Sequence, residues 1–458
     1  MTTPTPTSAG QLTPRTGDLR NPSPALVLTA ALLGFALITL DASVVNVALP
    51  SIGTALGGGM SGLQWVVDAY TLSFAALMLS TGAFADRAGA SRAYAIGIAV
   101  FTAASVVCGL APNLPTLIGS RALQGVAAAV VLPASLSLVR QAYAEPAKRA
   151  RAVATWAAGG STAVALGPVA GGALTSLWDW RGIFFINLPL GAVALVLLVR
   201  APRSERRPAP LDLPGQLLAV ITLTAVTFAV IEGGATGVVA LLIALVAGAA
   251  FVRVELRQSH PVVPLSLFRS RSVSVAVAAG AACSVAFFGL VFLFSLFFQQ
   301  VQGRSALYAG LMFLPMTGLI GVTNVVSGKL AARYGARLPM LIGQLLAALG
   351  ALVLLYVDEG TPPLLVAWLL VPMALGCALT VPPLTAMMMD AVAAERAGLA
   401  AGVLNSARQV AGGLGIAVFG ALVSEDFTAG LRESLAISAA LFAVTAFLSF
   451  RLADRSAN

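Results

Sequence analysis

Charge is what this sequence has least of. Aspartate, glutamate, lysine and arginine make up 10% of its 458 residues, where a soluble globular domain carries about 25%. A chain so poor in charge cannot coat several water-facing domains, which excludes the three or so soluble domains that length alone suggests. Histidine is almost missing: His260 is the single copy, in a polar linker. A histidine-built metal site or catalytic triad is therefore excluded. Cys108, Cys283 and Cys377 each lie alone in an apolar segment, so there is no disulfide framework and no CxxC pair. No GxxxxGK[ST] stretch occurs, which excludes ATP binding through a P-loop. No metal and no cofactor is expected. Runs alternating with a period of two are also lacking, so strands are not expected.

What the sequence has in abundance is apolar length. Hydrophobic residues make up 58% of the chain, and the mean hydropathy is +0.92. A membrane-spanning helix needs about 20 mostly apolar residues. Seven such runs lie at 25–47, 63–83, 93–111, 114–139, 152–176, 183–199 and 213–232. Seven more lie at 236–252, 273–298, 306–328, 338–357, 364–387, 400–423 and 434–450. The expected fold is an all-α integral membrane protein with fourteen transmembrane helices. Between 213 and 252, Glu232, Gly233 and Gly234 break one long apolar stretch into a tight hairpin. Residues 1–24, rich in Thr, Pro and Ser, read as a solvated tail, without the apolar core of a signal peptide. Residues 451–458 read as a second tail.

The net charge of +9 does not indicate nucleic acid, because the basic residues come in small groups between apolar runs instead of on one face. Arginine and lysine accumulate in cytoplasmic loops. With fourteen spans, 22 of them fall on one side and three (Arg181, Arg304 and Arg432) on the other. Both termini are therefore expected in the cytoplasm, in a cell-membrane protein. An internal repeat supports this arrangement. Gly82 through Ala90 matches Gly328 through Ala336 in Gly, Ala, Arg, Gly and Ala, each stretch closing the second helix of its half. Residues 25–199 and 273–450 then form two six-helix bundles in parallel orientation, with a two-helix insert in the linker 200–272. Repeats of this kind build transporters whose substrate site lies between them, near the bilayer midplane.

Charges inside the spans mark the candidate site. Asp41 lies about 16 residues into the first helix, or roughly 24 Å. An acid there costs about 2.5–3.5 kcal/mol to insert, so such residues commonly mark proton or substrate paths. Asp41 is either a proton-exchanging carboxyl or a structural acid, paired with Arg121 or capping a backbone kink. Asp68 and Glu232 sit near external helix ends, as cavity residues or as groups in contact with interfacial water. Arg408, with Asn405 and Gln409 nearby, is either a cavity residue or an anchor to the headgroups. Gly159, Ala163, Gly167 and Gly171 recur every four residues as a smooth stripe that allows close helix packing, and Pro168 favours a kink.

Five motifs, taken together, carry a resemblance: Leu40 through Pro50, Gly82 through Arg92, Arg121 through Gly125, Gly167 through Gly172, and Trp180 through Gly191. The chain resembles the major facilitator superfamily, specifically its fourteen-helix drug:proton antiporters, over nearly all its length from residue 25. The stretch Gln64 through Tyr70 is most similar to methylenomycin-resistance exporters. The resemblance implies a proton-coupled exporter of small hydrophobic or cationic drug-like compounds, monomeric and driven by the proton gradient. It places Asp41, Asp68, Arg121, Asn46, Gln124 and Glu232 in the coupling and substrate cavity. It makes Gly159, Ala163, Gly167, Pro168, Gly171 and Gly172 the antiporter motif. It makes Gly82, Asp86, Arg87, Gly89 and Arg92 a conformational switch, with Asp86 meeting a helix start near Gly398–Gly402. Ala332 replaces the acid in the second copy. A proton-coupled importer or uniporter of a small metabolite has the same architecture. A membrane enzyme would need a catalytic cluster that the sequence lacks.

Overall fold

The computed structural model describes residues 23–199, 212–258, 261, 263–392 and 397–451, without side chains at 79, 83, 86, 397 and 398. Most of the two expected tails, and residues 200–211 of the linker, lie outside the described residues. The chain opens with α1 (Pro24–Leu56), α2 (Gly59–Ala88), α3 (Ala90–Gly109), α4 (Leu114–Ala142), α5 (Pro146–Leu177) and α6 (Gly182–Val199). A hairpin follows, α7 (Leu213–Glu232) and α8 (Gly234–Glu255). The remainder is α9 (Arg271–Val301), α10 (Ala306–Tyr334), α11 (Arg337–Leu354), α12 (Pro363–Asp390), α13 (Ala397–Leu422) and α14 (Phe427–Arg451). No strand occurs among the described residues. Among the described residues, twelve helices are long and apolar enough to cross a membrane, by length and composition; α2 and α13, which carry the undescribed side chains, fall outside that count.

Local chemistry explains the boundaries. Asn113 caps α4, accepting from Thr116 N at 3.0 Å, and Asp212 caps α7, accepting from Gly215 N at 2.8 Å. Each satisfies an amide that the helix itself leaves unpaired. Gly233 and Gly234 turn the hairpin at φ +59° and +56°, a region that favours glycine. The two repeat motifs end alike: Gly89 closes α2 at φ +86° and Gly335 closes α10 at φ +79°. Two irregularities escape a hydropathy reading. α10 breaks at Phe313 and α12 at Leu370, each just ahead of a proline in the next turn, Pro315 and Pro372. Proline lacks the N–H that would continue the ladder and disfavours helical geometry just before it. α1 also runs nine residues past the expected end at 47, carrying Pro50 within it.

In lipid, apolar surface gives little drive for helix association, so small residues that let backbones approach do that work. Gly343 of α11 and Gly376 of α12 face each other, a Cβ on Gly343 lying 2.6 Å from Gly376 O. On α5 the glycine stripe presses on α1, where a Cβ at Gly171 would be 2.5 Å from Val44 O. The perimeter is apolar where it meets no protein: Val239, Leu242, Leu245 and Val246 of α8 are all exposed. Helices α1, α3 and α4 pack with α6 and α2, while α9 and α11–α14 pack among themselves. The two groups meet along α2–α13, α5–α10 and α1–α9, and α7 lies against both α2 and α13.

Candidate substrate cavity and buried carboxylates

A cavity of about 1400 Å³ lies between the two groups of helices. Its wall is largely apolar and aromatic, including Phe35, Tyr70, Phe74, Trp156 and Phe288, with polar groups from Asn46, Ser284, Arg408 and Gln409. Phe35 and Trp156 stack, centroids 4.2 Å apart and planes 18° from parallel. The cavity opens at the end carrying Arg140, Asp212 and Pro264. The other end is shut by contacts between the groups. Ser295 Oγ donates to Asn46 O and Gln299 Nε2 to Val47 O, both at 2.9 Å, and Gln64 Nε2 donates to Ala417 O at 2.6 Å. Gly172 sits so close to α10 that a Cβ would be 2.9 Å from Leu307 Cα.

Behind the wall lies a polar network with no solvent exposure. The Asp41 carboxylate accepts from Arg121 Nη1 at 2.5 Å, Asn187 Nδ2 at 2.7 Å and Gln124 Nε2 at 3.2 Å. Gln124 and Asn187 both donate to Ser105 Oγ as well, at 2.8 and 3.2 Å. Arg121 Nε donates to Val66 O at 3.2 Å, and its guanidinium lies 4.3 Å over the Tyr70 ring. Asp41, Arg121, Gln124, Asn187 and Ser105 are all fully buried. Buried charges persist when paired and when their remaining hydrogen-bonding capacity is filled, and the carboxylate here meets both conditions.

Asp68 is the opposite case. It is equally buried, yet neither carboxyl oxygen has a hydrogen-bond partner. It packs at the α2–α13 contact, its Oδ1 3.2 Å from where a Cβ on Gly413 would lie.

With this geometry in place, the sequence matches the Major Facilitator Superfamily model over residues 31–416. The chain belongs to that superfamily. Within it, the multidrug resistance protein Stp of Mycobacterium tuberculosis is 38% identical, covering 91% of this chain and 79% of that protein. The methylenomycin A resistance protein of Streptomyces coelicolor is 36% identical, covering 89% and 87%. Among solved structures, a bacterial homolog of the human lysosomal transporter Spinster, inward-facing and unoccupied, aligns with TM-score 0.67 at 18% identity, covering 93% of this chain and 96% of that one. A peptide transporter in complex with sulfate aligns with TM-score 0.70 at 17% identity, covering 93% and 94%. These two alignments show the shared fold.

As a superfamily member, the chain distributes its expected site residues unevenly. Asn46 lies on the cavity wall, its Nδ2 donating to Ala42 O at 3.3 Å and its Oδ1 free. Asp41, Arg121 and Gln124 do not reach the cavity, because Asp41 and Gln124 turn toward α3 and α6 to satisfy one another. Asp68 turns to α13, off the wall. Glu232 is remote from the cavity: exposed at the end of α7, it accepts from Ser61 Oγ at 2.9 Å and Trp65 Nε1 at 3.0 Å. It ties the hairpin to α2. Of the switch residues, Gly82 lines the cavity, Gly89 closes α2, and Arg87 and Arg92 are exposed. The Asp86 side chain and residues 393–396 lie outside the described residues. The antiporter stripe faces two ways. Gly159, Gly167 and Gly171 press on Leu32, Ser43 and Val44 of α1, while Gly172 meets α10 and Pro168 O abuts Gly310. Ala163 is buried between them.

Asn187, Ser105 and Cys108 complete the network and carry no charge that marks them in the sequence. Cys108 Sγ donates to Gln124 Oε1 at 3.2 Å. The available signal was an amide in the apolar run 183–199, since a polar group at membrane depth needs a partner.

Proposed function

We propose that this chain is a proton-driven exporter of small drug-like compounds that works by alternating access. The cavity, open at one end and sealed at the other, carries the reading. The names of its relatives, multidrug resistance protein and methylenomycin A resistance protein, give it direction. In this reading α2 and α13 also cross the bilayer, which makes fourteen spans and puts both termini and the open end in the cytoplasm, in accord with the 22 and three basic residues on the two sides. Residues 25–199 and 273–450 rock as two bundles of a monomer, with 200–272 as the inserted linker.

The coupling proton is carried by Asp68. A carboxyl buried without donors is stable when neutral, and Asp68 is in that position while the α2–α13 contact is closed. When the contact parts, water reaches it. Asp41, the first expectation from sequence, is engaged by three donors and serves as the anchor of α1, α4 and α6. Proteoliposomes test the whole reading. An imposed pH gradient should drive accumulation of a fluorescent drug, and a protonophore should abolish it. Transport that needs ATP and survives collapse of the gradient would overturn it.

A further inference from the structure

We propose that Arg408 is the recognition group of the cavity and that the favoured cargo is an amphipathic organic anion, a carboxylate or phenolate on an apolar body. The proposal rests on the cavity being the cargo site, and goes beyond that reading in assigning the charge. Arg408 projects from α13 into the cavity wall. Its stem is held by close packing: a Cβ on Gly280 of α9 would lie 3.1 Å from its Cγ. Its Nε is buried with no acceptor, and it belongs to none of the ion pairs found among the described residues. A second unpartnered group shares the wall. Ser284 on α9 is 2% exposed, and its hydroxyl has no hydrogen-bond partner.

Among the described residues, the acids that could favour a cation are turned away from the cavity. Asp41 is spent on Arg121, Asn187 and Gln124, and Asp68 faces Gly413. Asp212 lines the mouth but is 7% exposed; its Oδ1 accepts from Gly215 N and Gln258 Nε2, at 2.8 and 2.7 Å, and its Oδ2 is buried without a partner, away from the cavity space. The accessible charge of the wall is positive, from Arg408 deep inside and Arg140 at the mouth. An unpaired guanidinium at membrane depth is costly, and its planar fork matches a carboxylate bidentately. Phe288 packs on Gly412, one helical turn above Arg408, so an apolar platform adjoins the charge. Neither Asp41 nor Asp68 lines the cavity, so neither offers its charge to a cation there.

Three isosteric probes test the assignment by titration calorimetry on the purified full chain: 2-naphthoate, 2-naphthamide and 2-naphthylmethylamine at neutral pH. Naphthoate should bind at least tenfold tighter than the amide, and the amine weakest. Arg408→Gln should remove the naphthoate advantage and leave amide affinity within twofold. Arg408→Lys should restore part of it, because charge remains while the fork is lost. Ser284→Ala should weaken naphthoate a few-fold. The wild-type ranking needs no variant to fold, so the amine binding tightest, or naphthoate failing to bind, overturns the proposal. So does an Arg408→Gln protein that elutes as wild type and keeps its naphthoate affinity. If the ranking holds but proteoliposomes show no gradient-driven flux, the exporter reading fails and the anion site stands.

Discussion

Replacing Asp41 by asparagine keeps the shape and removes the charge, and its consequence follows from the donors around it. The carboxylate accepts from Arg121, Asn187 and Gln124, whereas an amide offers one acceptor oxygen and turns an NH2 toward a donor. Arg121, fully buried, loses its counter-ion, and its Nη2 already has no acceptor. Removing one member of a buried ion pair costs about 3–5 kcal/mol, and Asp41→Asn should fall in that range. Arg121→Gln should sit near its lower end, because Asn187 and Gln124 still donate to the stranded carboxylate. Replacing both members leaves no stranded charge, so the double variant should be more stable than the sum of the singles implies, with a coupling of about 2 kcal/mol. Thermal unfolding in nanodiscs reads this cycle directly, beside the amount of protein reaching the membrane. Equal stability of Asp41→Asn and wild type, with additive effects in the double variant, would refute the pairing argument and return the coupling proton to Asp41.

Asp68→Asn should act with the opposite sign: an isosteric neutral group relieves a buried carboxyl without donors, so thermal stability should hold or rise while gradient-driven export is lost. A destabilised Asp68→Asn would mean that the carboxylate has a partner in the folded state. Gly172→Val should keep α5 from closing on Leu307, leaving a cysteine placed at Ser295 more reactive to impermeant label than in the parent. Unchanged labelling would show that this seam does not form the seal. Glu232→Gln loses charge at an exposed helix end and keeps an acceptor for Ser61 and Trp65. Its effect on stability should stay within about 1 kcal/mol with export intact, whereas loss of proton coupling would restore it to the site.

Much of the architecture was legible because the bilayer imposes a length on each apolar run, and the run edges fell within a few residues of most helices. The breaks at Phe313 and Leu370 were not, since hydropathy averages over a single lost hydrogen bond. The pairing of Asp41 with Arg121 was available from sequence as one of two readings, because two opposite charges in apolar helices have few other ways to be satisfied. The third partner, Asn187, an amide 146 residues from Asp41, was not legible, because no local pattern links the two positions. The isolation of Asp68 was illegible for a related reason: it depends on which face of α2 meets Gly413, and no local pattern encodes that contact. The sequence around Arg408 suits a cavity or a headgroup position equally, and helix packing puts it on the cavity wall.

The hairpin has a consequence for how a membrane-dissolved compound finds the cavity. Two long seams separate the helix groups, α2–α13 and α5–α10, and α7 lies along the first of them. Gln216 secures it by donating to Ala76 O and accepting from Ser80 Oγ, and Glu232 secures its other end. Further along α10, Gly318, Gly321 and Gly328 have open space where a side chain would sit, and Val322 and Val325 are exposed. Lipid chains therefore face a shuttered flank on one side and a bare one on the other. On the exporter reading, a compound dissolved in the bilayer would meet the cavity from the α5–α10 flank, which the hairpin leaves uncovered. The insert thus makes the two flanks of the cavity unlike, one covered by α7 and the other by no further helix among the described residues.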